Sequence, residues 1–129
     1  MNTSERPILV VDDDLDIREA LSDLLEDRGF RVLTVANGLE ALKVVRGGAS
    51  PPLVILLDLM MPILDGYGFL EEQKKDPAIA SIPVTIITAG HSVDRGRLGD
   101  GVSILPKPIN VPQLDTLLHD LRAATRTST

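Results

Sequence analysis

Short β-branched runs alternate along the whole chain with longer stretches in which apolar residues recur every three or four positions. The runs Ile8 to Val11, Arg31 to Val35, Leu53 to Leu57, Val84 to Thr88 and Val102 to Leu105 predict strands. Between the first two, Leu15, Ile17, Ala20, Leu21, Leu24 and Leu25 share one helical face with charges opposite, and Gly29 stands where that helix would end. Glu40 to Val45 after Asn37-Gly38, Gly66 to Lys75 after Asp65, and the stripe Leu114, Leu117, Leu118 and Leu121 after Asn110 and Pro112 predict further helices. Strands this apolar must be buried on both sides, so the alternation implies an α/β protein with a parallel sheet between two helical layers. In such sheets a ligand sits beyond the carboxyl ends of the strands, which directs attention to the polar residues that follow each strand. No repeat or linker interrupts the pattern. Residues 1–129 are therefore expected to be one domain, with an ordered core over about 6–124 and a small, polar, frayed tail from Ala123 onward.

Composition narrows the functional classes. The 43% hydrophobic and 25% charged residues are an ordinary globular balance. A net charge of -6 gives no broad cationic surface for nucleic acid or anionic lipid. Having no cysteine, the chain cannot form disulfides, thiolate metal sites or a cysteine nucleophile, which fits a reducing compartment and makes the cytoplasm the expected location. The longest uncharged apolar runs, Pro51 to Leu57 and Ile79 to Gly90, are too short or too polar for a transmembrane helix. Met1 to Pro7 lacks the apolar stretch of a signal peptide. With Phe30, Phe69 and Tyr67 as its only aromatic residues, the chain has little material for stacking bases or sugars.

Chemistry gathers at the strand ends. The first strand runs into Asp12, Asp13 and Asp14, the third into Asp58, the fourth ends on Thr88, and the fifth is followed by Lys107-Pro108. Clustered carboxylates raise one another's pKa unless a cation compensates. Mg²⁺ suits an open set of carboxylates, because it keeps several waters and is often held by one or two acidic side chains together with a phosphoryl group. Each residue also has a plainer explanation. Asp12 to Asp14 could simply cap the first helix. Asp58 could form a turn, although Met61-Pro62 and Asp65-Gly66 already supply turn chemistry there. Thr88 could be an ordinary strand residue, and Lys107 a solvated lysine, although two flanking prolines fix its backbone. His91 is expected to be solvated and His119 structural. Gly96, Gly99 and Gly101 precede a strand, where a phosphate-cradling loop would precede a helix, and so read as loop.

The strings ILVVDDD at 8–14, LLDLMMPILDG at 56–66, IITAG at 86–90 and LPKP at 105–108, in this order and each at a strand end, resemble the receiver domains of two-component response regulators. The resemblance implies a flavodoxin-like, doubly wound five-stranded sheet of order 2-1-3-4-5. It also implies that Asp58 accepts a phosphoryl group from a histidine kinase or phosphotransfer domain. Asp13 would then ligate Mg²⁺ directly, Asp12 more often through water, and Asp58 and the main-chain carbonyl of Met60 would complete the protein's ligands. Asp14 carries no such role. Thr88 would be the switch hydroxyl, Lys107 the cation that partners the phosphoryl group, and the peptide bond before Pro108 would be cis. Ala89, being small, would leave the phosphoryl pocket open, and Met60 and Gly90 would tune the access of water. The chain would be a phosphoacceptor that controls a partner or output domain, not an enzyme.

Two alternatives belong to other classes. A Mg²⁺-dependent phosphohydrolase working through an aspartyl-phosphate would commonly carry a second Asp two residues after the nucleophile, where this chain has Met60. A pseudo-receiver would bind partners without phosphorylation, but here Asp12, Asp13, Asp58, Thr88 and Lys107 are all present. The chain departs from the resemblance in two places. Ala89 to Gly101 leaves room for little more than one helical turn, anchored by Val93 and Leu98, so the fourth helix should be short, distorted or mobile, and ordered by phosphorylation. Ile104 occupies the position on the fifth strand where the family usually has an aromatic switch residue.

Overall fold

The structure is a computed structural model that describes residues 6–48, 50–90 and 93–127. Its elements follow in the order β1 (Ile8–Val11), α1 (Leu15–Asp27), β2 (Val32–Val35), α2 (Gly38–Gly47), β3 (Val54–Asp58), α3 (Gly66–Lys75), β4 (Val84–Thr88), α4 (Arg95–Leu98), β5 (Ser103–Pro106) and α5 (Val111–Thr127). All strand pairs are parallel and the sheet order is β2-β1-β3-β4-β5. The chain moves outward from β1 in one direction and from β3 in the other. The topological switch point, where such sheets open a crevice, therefore lies at the carboxyl ends of β1 and β3.

Alternation along the buried strands divides the core into two layers. Ile8, Val10, Val54, Leu56 and Ile87 join Leu21 and Leu25 of α1 and Leu114 and Leu118 of α5 on one face. Leu9, Val11, Ile55, Leu57 and Ile86 pack on the other with Ala41 and Leu42 of α2, Phe69 and Leu70 of α3, and Leu98 of α4. Burying each large apolar side chain is worth about 1.5–3 kcal/mol, so the inner strands are held firmly from both sides and their ends make a rigid platform. The caps are local. Asn37 accepts the Glu40 amide at the start of α2, while the Glu40 carboxylate accepts the Ala36 amide at 3.0 Å, a reciprocal arrangement that satisfies two orphan donors. Gly29, at φ 86°, takes the left-handed conformation just past α1.

Several expectations are corrected in detail. β3 and β5 each lie one residue later than predicted, and α2 begins at Gly38 and ends at Gly47. The tail predicted to fray from Ala123 instead continues α5 through Thr127. Adding residues to an existing helix costs little, since nucleation has already been met, and Ala123, Ala124 and Arg126 are good helix formers. The short fourth helix is found: α4 is 4 residues long, it contains Gly96, and it is followed by Gly99 and Gly101 at φ 86° and 82°. It is nevertheless docked, because Leu98 is only 1% exposed.

Candidate functional site

The sheet delivers the strand-end residues to one edge. Asp12 follows β1, Asp58 closes β3 and Thr88 closes β4, and all three are buried, at 2%, 7% and 6% exposure. Asp13 beside them is exposed. Asp12, Asp13 and Asp58 each offer a carboxylate oxygen, and these oxygens lie within 4.8 Å of one another. Lys107 reaches the site because its main-chain amide donates to the Thr88 carbonyl at 2.9 Å, tying the end of β5 to the end of β4. The Lys107–Pro108 peptide bond is cis, as expected. The Lys107 ammonium donates to Asp12 Oδ2 at 3.0 Å and stands 3.6 Å from Asp58 Oδ1.

Local structure explains why these side chains stay in place. Asp14 is the N-cap of α1 and accepts the amides of Asp16 and Ile17. The helix-capping explanation therefore holds for Asp14, whereas Asp12 turns into the site, its Oδ1 accepting the Asp14 amide at 2.9 Å. Arg18, one turn into α1, donates from Nη1 to the Asp12 carbonyl at 2.7 Å and clamps the turn that carries both acidic residues. Sequence inspection missed this contact, because Arg18 sits on the charged side of the helical pattern and only the fold brings it back over the turn. On the other side, the Gly66 amide donates to the Leu59 carbonyl at 2.9 Å. A Cβ at Gly66 would meet the Asp58 carbonyl oxygen at 2.8 Å and Leu59 Cα at 2.9 Å, so α3 can begin this close to β3 only with glycine there.

The electrostatics are those of crowded acids with one cation. Burial and, next, the charge of Asp12 push the Asp58 carboxyl up to about 6; Lys107 and the Met60 main-chain amide pull it down, and Asp13 pushes it further up. For Lys107, burial acts most strongly and disfavours the ammonium, but the hydrogen bond to Asp12 and the attraction of Asp58 and Asp12 outweigh it, so its pKa lies above the ordinary value. Lys107 offsets only part of the rise at Asp58, because it sits closer to Asp12 than to Asp58. A hard dication fits this cluster of oxygen donors, two of them buried and left with more negative charge than Lys107 can offset.

The rim is open. Met60 is 71% exposed, and Ala89 and Gly90 are exposed. The Thr88 hydroxyl accepts the Gly90 amide at 2.9 Å. Ile63 in the β3–α3 loop has φ 72°, a strained conformation for a β-branched residue, and is 76% exposed. His91 lies outside the described residues. His119 is exposed on α5, beside a groove lined by Arg28, Phe30 and Arg122, away from the acidic cluster. No described helix is long and apolar enough to cross a membrane.

Comparison with known proteins agrees with this geometry. The family described as response regulator receiver domain matches residues 8–119. A Haemophilus influenzae protein named transcriptional regulatory protein CpxR homolog is 42% identical over 110 residues, 83% of this chain and 46% of the relative. The chain spans about half the length of the curated relatives it matches. Among solved structures, a response regulator receiver domain protein from Clostridium thermocellum superposes with a TM-score of 0.83 at 28% identity, covering 96% of this chain and 99% of that one. The receiver domain of the sensor histidine kinase PA1611 from Pseudomonas aeruginosa, which holds a magnesium ion in its active-site cleft, superposes at 0.79 with 27% identity over 90% of this chain and 96% of its own. With the acidic cluster, the lysine that precedes a cis-proline and the 2-1-3-4-5 sheet all in place, this chain belongs to the response-regulator receiver domain family.

Proposed function

We propose that Asp58 is the phosphoacceptor of this receiver, that Asp12, Asp13, Asp58 and the main-chain carbonyl of Met60 hold Mg²⁺, and that Thr88 and Lys107 act on the phosphoryl group. The observation that carries the reading is a buried Asp58 carboxylate, clustered with two other acids and 3.6 Å from the Lys107 ammonium. Mg²⁺ bound there would offset the crowded carboxylates and neutralise phosphoryl oxygens. Phosphoryl transfer passes through a loose transition state, so the protein's task is alignment and charge. The platform of β1 and β3 and the Gly66 approach fix the Asp58 carboxylate. Its Oδ forms the new P–O bond as the donor's N–P bond breaks, and the phosphohistidine imidazole leaves as the free base.

Lys107 then exchanges part of its contact with Asp58 for the phosphoryl oxygens, and the Thr88 hydroxyl turns to donate to one of them. Ala89 and Gly90, small and exposed, leave a path for donor and water, and attack of water on phosphorus returns the carboxylate. Donor and target follow from the family: a histidine kinase or phosphotransfer protein upstream and an output domain or partner downstream, in the cytoplasm. On this reading residues 1–129 carry one receiver domain, which assists its own phosphorylation and dephosphorylation and turns over no separate substrate. A phosphohydrolase is disfavoured by Met60, which leaves no general acid two residues past Asp58. A pseudo-receiver is disfavoured by the intact acid–lysine cluster. Incubation with Mg²⁺ and acetyl phosphate should add one phosphoryl mass to the wild type and none to Asp58→Asn. An adduct of equal yield in Asp58→Asn, or one that forms equally well in chelator, would overturn the assignment.

A further inference from the structure

With Ile104 on β5, the sheet has no aromatic ring beside Thr88 to register the state of the site, and the short α4 makes no long helical face. What the segment before and within α4 does touch is Tyr67. This residue lies on α3, one position after Gly66, where any Cβ would collide with the Asp58 carbonyl, and is itself 9% exposed. Its hydroxyl oxygen accepts the main-chain amide of Asp94, the N-cap of α4, at 2.8 Å. Its ring carries the Arg97 guanidinium, 4.3 Å from the centroid, and Arg97 also reaches Glu71 on α3 at 3.3 Å. Leu98 completes the attachment in the core. One aromatic side chain thus fastens α4 to α3 by a hydrogen bond and a cation–π contact.

Gly90, four residues before Asp94 in the chain, is tied to the site: its amide donates to the Thr88 hydroxyl at 2.9 Å. We propose that Tyr67 is the residue through which the phosphorylation state is read out: when Thr88 turns toward the phosphoryl group it releases Gly90, and the segment slips its bond to Tyr67, loosening α4 from α3. The signal leaves through the α3–α4 face, and residues 93–98 become less protected. This is the reverse of ordering on phosphorylation, because the docked α4 has contacts to lose. The inference rests on the phosphoacceptor reading of Asp58 and deepens it.

Tyr67 is the chain's only tyrosine and there is no tryptophan, so its emission reports the contact without a label. Wild-type protein with Mg²⁺ and acetyl phosphate is followed by intact mass, by tyrosine fluorescence and by hydrogen exchange of the peptide covering 93–98. As the adduct forms, emission should change in step with it and exchange should quicken about five-fold, the loss of roughly one backbone hydrogen bond. Tyr67→Phe keeps the ring and the Arg97 contact but removes the acceptor; its segment should exchange about five-fold faster before phosphorylation and change less than about two-fold after it. An adduct on Asp58 with constant emission, or a Tyr67→Phe segment that responds as the wild type does, would overturn the proposal. Failure to form any adduct would instead overturn the phosphoacceptor reading, and this inference with it.

Discussion

Asp58→Asn in metal-free protein should raise stability at neutral pH, an unusual outcome for removing a charge from a functional site. The Asp58 carboxyl rises from an ordinary 3.8 to about 6 in the fold, chiefly through burial and then through the charge of Asp12. A shift of about two units corresponds to about 3 kcal/mol between the protonation states. Because the folded value lies above the unfolded one, the folded protein holds the extra proton between pH 4 and 6, so this contribution to stability is full below about pH 4 and is lost as pH rises through about 6. Above that the ionised Asp58 is a net cost, which the neutral amide of asparagine removes while Lys107 keeps its bond to Asp12. Solvent screening at this carboxyl reduces that figure, so the variant should be about 1–2 kcal/mol more stable at pH 7.5, roughly 3–6 °C in Tm for each kcal/mol, and the two proteins should converge near pH 4. Thermal unfolding in chelator from pH 4 to 8 measures this directly. Adding Mg²⁺ should then stabilise the wild type more than the variant, narrowing the gap. An asparagine variant that is less stable at pH 7.5, or a difference that does not vary with pH, would refute the proposed cost of ionised Asp58.

Three further outcomes are expected. Lys107→Ala should still bind Mg²⁺ but lose the tyrosine and exchange response to phosphorylation; metal titration beside those readouts separates the roles, and an intact response would remove Lys107 from the coupling. Gly66→Ala should cost about 1–3 kcal/mol in urea unfolding and slow acceptance from acetyl phosphate, because its Cβ would press on the Asp58 carbonyl. Gly90→Leu, whose Cβ would stand 3.2 Å from the Thr88 hydroxyl, should change the hydrolysis rate of the phosphorylated form several-fold, and an unchanged rate by phosphate release would exclude Gly90 from control of water access.

Much of this architecture is legible in the sequence because each buried strand is a compact apolar word with polar punctuation. Ile8–Val11 and Val84–Thr88 are read to the residue, and the acids and lysine at the strand ends point to one edge as soon as the sheet is taken as parallel. The short α4 follows from chain length alone, since the interval has too few residues for more. Contacts that cross between elements are not legible in this way. Arg18 over the Asp12 carbonyl, Gly66 against β3, and the Tyr67 hydroxyl under the Asp94 amide all depend on how helices seat on the sheet. The exposed, strained Ile63 has no local signal either: a β-branched residue is the last that turn chemistry would place at positive φ.

The central claim is that phosphate is accepted on Asp58 and nowhere else. Protein treated with Mg²⁺ and acetyl phosphate and then reduced with borohydride, which converts an aspartyl phosphate to homoserine, can be digested and sequenced by mass spectrometry. Homoserine at position 58, dependent on Mg²⁺, is the expected result; homoserine at Asp12 or Asp13, or an unreduced chain after full treatment, would contradict it.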